Sequence, residues 1–213
     1  MQPCYYKTNF IGEGSGERTD GGLSNFGLEF VEEMNRLNLL IDVSHCKDGV
    51  TTDCLKFSKQ PVIISHANPR GMLVHHRNKT DEQIKAMAEK GGVMGLTLYS
   101  PFCQLRKGVR PTIEDYLDLL DYVVKLVGID YVGFATDTAI ESKEEFEESL
   151  IGHPGIAVGY FERNIFTDED GCDNPRHIPE LAEGLASRGY SDEDIEKFLG
   201  LNFMRVFKDV WGT

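Results

Sequence analysis

Two histidines and one aspartate stand at the ends of short apolar runs. His45 closes Ile41-Asp42-Val43-Ser44-His45, His66 closes Ile63-Ile64-Ser65-His66, and Asp137 closes Phe134-Ala135-Thr136-Asp137. If the runs are strands of one parallel sheet, all three side chains emerge at its carboxyl-terminal edge, where α/β architectures bind ligands. Zinc takes imidazole and carboxylate ligands at about 2.0–2.2 Å, and a catalytic zinc keeps one position for water. The ordinary role of a lone histidine after a buried strand is a structural hydrogen bond. A Ser-His pair at two successive run ends, with an acid at a third, turns the reading toward a metal. The pattern is less specific than HExxH, because the ligands lie far apart in the chain.

Other polar residues carry weaker signals. Arg77 lies in His75-His76-Arg77-Asn78, past the second histidine-bearing run. Its ordinary role is a solvated loop charge; beside a metal it could hold a substrate carboxylate through two parallel bonds. His75 and His76 read as loop residues, and His153 and His177 receive no role. The cysteines have no general base at a recognisable spacing, which argues against a cysteine nucleophile. GxGxxG, Walker A and GxSxG motifs do not occur.

The elements that must position these residues follow an alternating pattern. Apolar residues at helical spacing predict helices over 24–37, 51–58, 80–90 and 112–127. Thr80 is the expected N-cap of the third, with Gln83 at the capping-box position. Between the helices lie runs at 39–43, 61–64, 93–98 and 131–135, too short for helices and suited to strands buried on both faces. This is the arrangement of βα units in a parallel sheet. Four such strands, or five with residues 4–10, do not close a (β/α)8 barrel, which takes about 250 residues. Residues 138–176 are rich in Glu, Asp and Gly and read as a long loop with one short helix near 144–150. The tail predicts helical pieces at 179–187, 191–199 and 200–210.

The 213 residues are enough for one domain with a sizeable core, and the net charge of −13 opposes nucleic-acid or anionic-membrane partners. No run approaches the roughly 20 apolar residues of a membrane span, and the start, MQPCYYKTNF, has no signal-peptide pattern. Five scattered cysteines without a CxxC pair suggest reduced thiols, hence a cytoplasmic location.

Together the motifs are recognisable. NFIGEGSGERTDGGLSNFG, EMNRLNLLIDVSH, PVIISHANPRG, HRNKTDEQIKAMAEKGGVMGLTLYSPF, VGIDYVGFATD and the tail through RVFKDVWG resemble successive segments of the membrane (renal) dipeptidase family, metallopeptidase family M19. The resemblance implies a (β/α)8 TIM-type barrel with two zinc ions and hydrolysis of dipeptides, or related small amides, by a metal-bound hydroxide. It matches His45 and His66 to the histidine ligands of one zinc. Asp137 matches the aspartate at the other, which also transfers the proton. Arg77 matches the arginine that binds the substrate's terminal carboxylate, and Tyr5 falls near a substrate-contacting position.

The departures matter as much. The family's H-x-D pair on its first strand and its bridging glutamate have no counterpart here. Asp137 is followed by Thr138-Ala139-Ile140 where many members continue F-D-G or F-T. The expectation is a partial barrel over 1–213: a strand or loop at 1–22, βα units at 23–137, a loop at 138–176 and helices at 177–213. Zinc occupancy should be partial or nil. Covering the open face would take a homo-oligomer or a missing N-terminal polypeptide. The alternatives are an inactive fragment or pseudoenzyme of the family, or an amidohydrolase acting on another small amide or lactone.

Overall fold

A computed structural model describes residues 1–137, 165 and 175–212. Four short strands run parallel: β1 (Ile41–Asp42), β2 (Val62–Ile63), β3 (Met94–Thr97) and β4 (Val132–Ala135). Ile41 faces Val62 in the first pair, and Met94 faces Val132 in the second. A parallel bridge between Ile64 and Met94 joins the two pairs, so spatial order follows chain order. Sequential parallel strands with helical crossovers are the building rule of a (β/α)8 barrel. The architecture is mixed α/β and only part of such a barrel.

Helix α1 (Asn25–Arg36) leads into β1, and the crossovers hold α2 (Asp48–Phe57), α3 (Asp81–Glu89), the short α4 (Ser100–Cys103) and α5 (Ile113–Val127). Their ends are written in local chemistry. Ser24 caps α1 by accepting from the Gly27 amide. The helix stops because Asn38 adopts a left-handed φ of 53°, letting the Leu39 amide return to the Met34 carbonyl. Thr80 and Gln83 form the expected capping box on α3. Thr112 and Asp115 form a second on α5, an acid replacing the usual Glu or Gln. Gly128, at φ 90°, ends α5 and turns the chain into β4.

The expected strand at 4–10 does not form. Met1 and Gln2 lie beside β1 instead, with the Met1 amine donating to the Leu40 carbonyl and the Asp42 amide to that of Met1. The Tyr5 and Tyr6 carbonyls accept from the Ser15 and Gly16 amides, which folds this segment as a loop over the ends of the strands. The expected helix near 144–150 and nearly all of the expected loop lie outside the described residues. The tail forms α6 (Ile178–Ser187), α7 (Asp192–Glu196), a π-turn at Lys197–Leu201 and α8 (Asn202–Trp211).

The core is one main apolar cluster. Val43, Val62, Ile64, Met94 and Leu96 from the strand region pack with Val31, Val50, Ile84, Met87, Leu117 and Leu120 from the helices, all buried. Gly95 has a steric reason: a Cβ there would sit 2.1 Å from the Ser65 carbonyl oxygen. Only glycine lets β3 run that close to the segment carrying His66.

Lys79 is fully enclosed below this segment. Its ammonium donates to the Cys46 carbonyl at 2.8 Å and to Thr51 Oγ1 at 3.0 Å. Burial outweighs these contacts and lowers its pKa to about 8. The unfolded chain therefore holds this proton more tightly between pH 8 and about 10.4. The lysine's share of stability should rise over that window, by about 1.4 kcal/mol per pH unit at most. In Lys79→Met, urea midpoints from pH 8 to 10 should lose this rising component. An unchanged pH profile would refute the assignment.

Candidate functional site

The ends of adjacent strands bring the two sequence-predicted histidines into contact. Their Nε2 atoms face one another at 2.8 Å, with ring planes inclined by 58°. The Tyr5 ring stacks on His45, with centroids 4.0 Å apart and planes 21° from parallel. Tyr5 is 59% exposed, so its outer face opens to solvent above the pair.

Arg77 is not the solvated loop charge that such a residue ordinarily is. Its side chain is buried, donating from Nη1 to the Ser44 carbonyl and from Nη2 to His45 Nε2 at 3.0 Å. The guanidinium carbon also lies 5.3 Å from the Phe102 ring centroid. Polar side chains stitch the loop that carries it. Asn68 Nδ2 donates to the Thr97 and Phe102 carbonyls, Asn78 Oδ1 accepts from the Asn68 amide, and Arg70 makes a bidentate pair with Asp48 at 2.5 and 2.8 Å. His75 stays in this loop, its Nδ1 accepting from the Arg77 amide, while His76 is exposed.

Asp137 follows β4 with a left-handed φ of 52° and is exposed. Its charge raises the proton affinity of both His66 and Arg77 against the larger effect of burial. Burial, then electrostatic competition from Arg77, His66 and Lys79 for the added proton, depresses His45 to about 2. His45 is therefore neutral near pH 7, the form in which imidazole binds metal.

Three residues escaped the sequence reading: Asp42, Ser44 and Ser65. Asp42 is buried on β1. Burial alone would raise its pKa, but hydrogen bonds from Ser65, Ser44 and Gln2 hold it below the usual carboxylate range. An acid inside an otherwise apolar strand run was the available signal.

The donor set suits zinc in kind. Two neutral imidazoles present Nε2 to one point, and two such atoms on a tetrahedral zinc would lie about 3.3 Å apart, close to the observed contact. Among the described residues no group of three or more His, Cys, Asp or Glu side chains gathers into a metal-binding cluster. The two Nε2 atoms offer a metal two donors, and Asp137 is near enough for its charge to raise the proton affinity of His66.

The family model described as Membrane dipeptidase (Peptidase family M19) matches residues 6–151 and 148–212. The chain belongs to the membrane dipeptidase family. An uncharacterized dipeptidase of Schizosaccharomyces pombe is 30% identical over 195 residues, covering 91% of this chain but 41% of that protein. The crystal structure of an amidohydrolase from Pseudomonas aeruginosa is 37% identical with a TM-score of 0.83, and this chain covers 64% of it. A metallo-peptidase from Rhodobacter sphaeroides, bound to a phosphinate mimic of the dipeptide L-Ala-D-Ala, superposes with a TM-score of 0.74 at 23% identity. That last likeness is one of fold. The chain spans less than two thirds of the length of each of these three proteins. No helix among the described residues is long and apolar enough to cross a membrane.

Proposed function

We propose that this chain carries part of the mouth of a zinc-dependent dipeptidase. The observation that carries this reading is the convergence of His45 and His66, Nε2 to Nε2 at 2.8 Å, on neighbouring strand ends with Arg77 alongside. His45 and His66 would hold the metal, and Asp137 would lie toward a second metal. Bound zinc supplies a Lewis acid that polarises the peptide carbonyl and lowers the pKa of water.

The chain's own residues then have distinct tasks. Asp137 accepts a proton from the attacking water at its carboxylate and returns it to the amine that leaves as the C–N bond breaks. Its exposed position after β4 gives substrate access to that oxygen. Arg77, its Nη2 released when a metal takes His45 Nε2, would donate to the free carboxylate of a dipeptide, which selects short substrates. The exposed ring of Tyr5 flanks the same opening. The dipeptidase names among the relatives support the substrate class.

Two features of the setting belong to this proposal. The partial strand set lies within one barrel domain running over 1–213, completed by a second copy or by an N-terminal polypeptide. Exposed Phe10, Phe26, Leu37 and Leu39 support such association; a strictly monomeric sedimentation profile would oppose the homo-oligomer. The cytoplasmic reading is supported by the free, buried thiols of Cys4, Cys46, Cys54 and Cys103.

The first test is zinc per chain by elemental analysis, followed by a dipeptide screen with and without added zinc. Partial zinc occupancy, with dipeptide hydrolysis that rises on adding zinc, is the expected result. No retained zinc and no hydrolysis would overturn the reading.

A second prediction concerns Arg77. Losing a charge-assisted contact of about 1.5–3 kcal/mol should raise KM by about 10- to 100-fold in Arg77→Ala, with kcat changed much less. A C-terminally amidated dipeptide should not sense the substitution. If both substrates lose equally, the carboxylate role is refuted.

A further inference from the structure

Asp42 connects the two histidine-bearing corners. Its carboxylate accepts from the Ser44 amide (3.1 Å) and Oγ (2.7 Å), from the Ser65 amide (3.0 Å) and Oγ (2.6 Å), and from Gln2 Nε2 (2.8 Å). Ser44 Oγ in turn accepts from the His66 amide at 3.0 Å. One buried acid thus clamps the segment before His45 to the segment before His66.

The hydrogen-bond polarity of this cluster is determined. An ionised carboxylate only accepts, so the Ser65 hydroxyl hydrogen points to Asp42. Ser65 Oγ also lies 2.7 Å from His66 Nδ1. With its hydrogen committed to Asp42, the hydroxyl can only accept there, so His66 Nδ1 carries the hydrogen. A neutral imidazole has one N–H, and the Nε2 of His66 is therefore a bare lone pair. His45 Nε2 carries no hydrogen either, because Arg77, which has no acceptor, donates to its lone pair; a Lewis acid at this point would take the place of that Arg77 contact. Two lone pairs 2.8 Å apart form a site for a Lewis acid.

We infer that Asp42 and Ser65 are positioning residues. Together they lock His66 as the Nδ1–H tautomer and hold both rings with Nε2 toward a common point. This inference rests on the metal-binding reading above. The relay differs from a direct carboxylate–histidine pair in that a hydroxyl carries the polarity between acid and ring.

Ser65→Ala removes the relay hydroxyl while sparing the Ser65 amide bond to Asp42, and Ser65→Thr restores a hydroxyl. Thermal melts identify folded variants. Two-bond ¹H–¹⁵N spectra of the metal-free 213-residue chain report the His66 tautomer, and zinc titration against a chromophoric chelator reports affinity. The parent and Ser65→Thr should show protonated Nδ1 and bare Nε2. Ser65→Ala should show averaged ring shifts and a zinc affinity lower by about 10- to 100-fold.

If Ser65→Ala keeps both the locked tautomer and parental affinity, the relay is overturned and the metal reading stands. If the parent shows the locked tautomer, lost in Ser65→Ala, but binds no zinc, the relay stands and the metal reading fails.

Discussion

Replacing His66 by alanine should weaken zinc binding by this chain, lowering affinity by more than the roughly 100-fold that outer contacts contribute. The reason is arithmetic on the ligands. His45 and His66 are the two imidazoles whose Nε2 atoms meet, and a single imidazole does not hold a divalent ion against dilution. Zinc-dependent hydrolysis should fall with the metal. Competition titration of wild type and His66→Ala under identical buffer checks the first claim, and single-turnover assays with a dipeptide check the second. Equal zinc content in the two proteins would remove His66 from the site. The fold should survive, since His66 is partly exposed and its backbone amide, not its ring, ties it to Ser44.

Asp42→Ala should do the opposite: damage the fold before the chemistry can be measured. Truncation strands the Ser44 and Ser65 hydroxyls, their amides and the Gln2 side chain around an empty space. Breaking a buried charged network by removing one member costs about 3–5 kcal/mol, a large share of a typical domain's 5–15 kcal/mol. Urea denaturation should show a much lower midpoint with a similar slope. Acid adds a second signature. The pKa of Asp42 is depressed in the folded state, so its stabilisation is complete above about pH 4 and is lost as pH falls through the folded value. In Asp42→Asn, destabilised at neutral pH, that part of the acid-dependent loss should be missing. A wild-type midpoint in Asp42→Ala would mean that the clamp carries no stability.

How much of this was legible before folding differs residue by residue. Thr80 and Gln83 declared the start of α3, because a capping box is a local contract between residues three apart. The strand runs were legible from apolar content, although only Ile41–Asp42 and Val62–Ile63 pair regularly within the first two. His45, His66 and Asp137 were legible because strand ends announce themselves. Tyr5 entered only through family resemblance, and Arg77 was a candidate whose ordinary reading was a solvated charge. Arg77 looks in sequence like any loop arginine, and its burial depends on Asn68, Asn78 and Arg70 stitching the loop from a distance. Asp42 was hidden for a related reason. Its partners Gln2 and Ser65 are remote in sequence, so no local pattern distinguished it from a misplaced strand residue.

The chain's last helix gives the molecule a second, quieter division. Asn202 donates to the Ile129 and Val132 carbonyls, and Arg205 to those of Gly91, Gly92 and Asp130. All of these lie where β3 and β4 begin, at the opposite rim from His45, His66 and Asp137. α8 therefore acts as a clasp on one rim while the proposed chemistry belongs to the other. Changes in the clasp can alter how long the protein survives heat or protease without touching a reacting atom. Changes at the mouth can retune chemistry without loosening the clasp. Lineages of this chain are free to adjust durability and reactivity along separate axes.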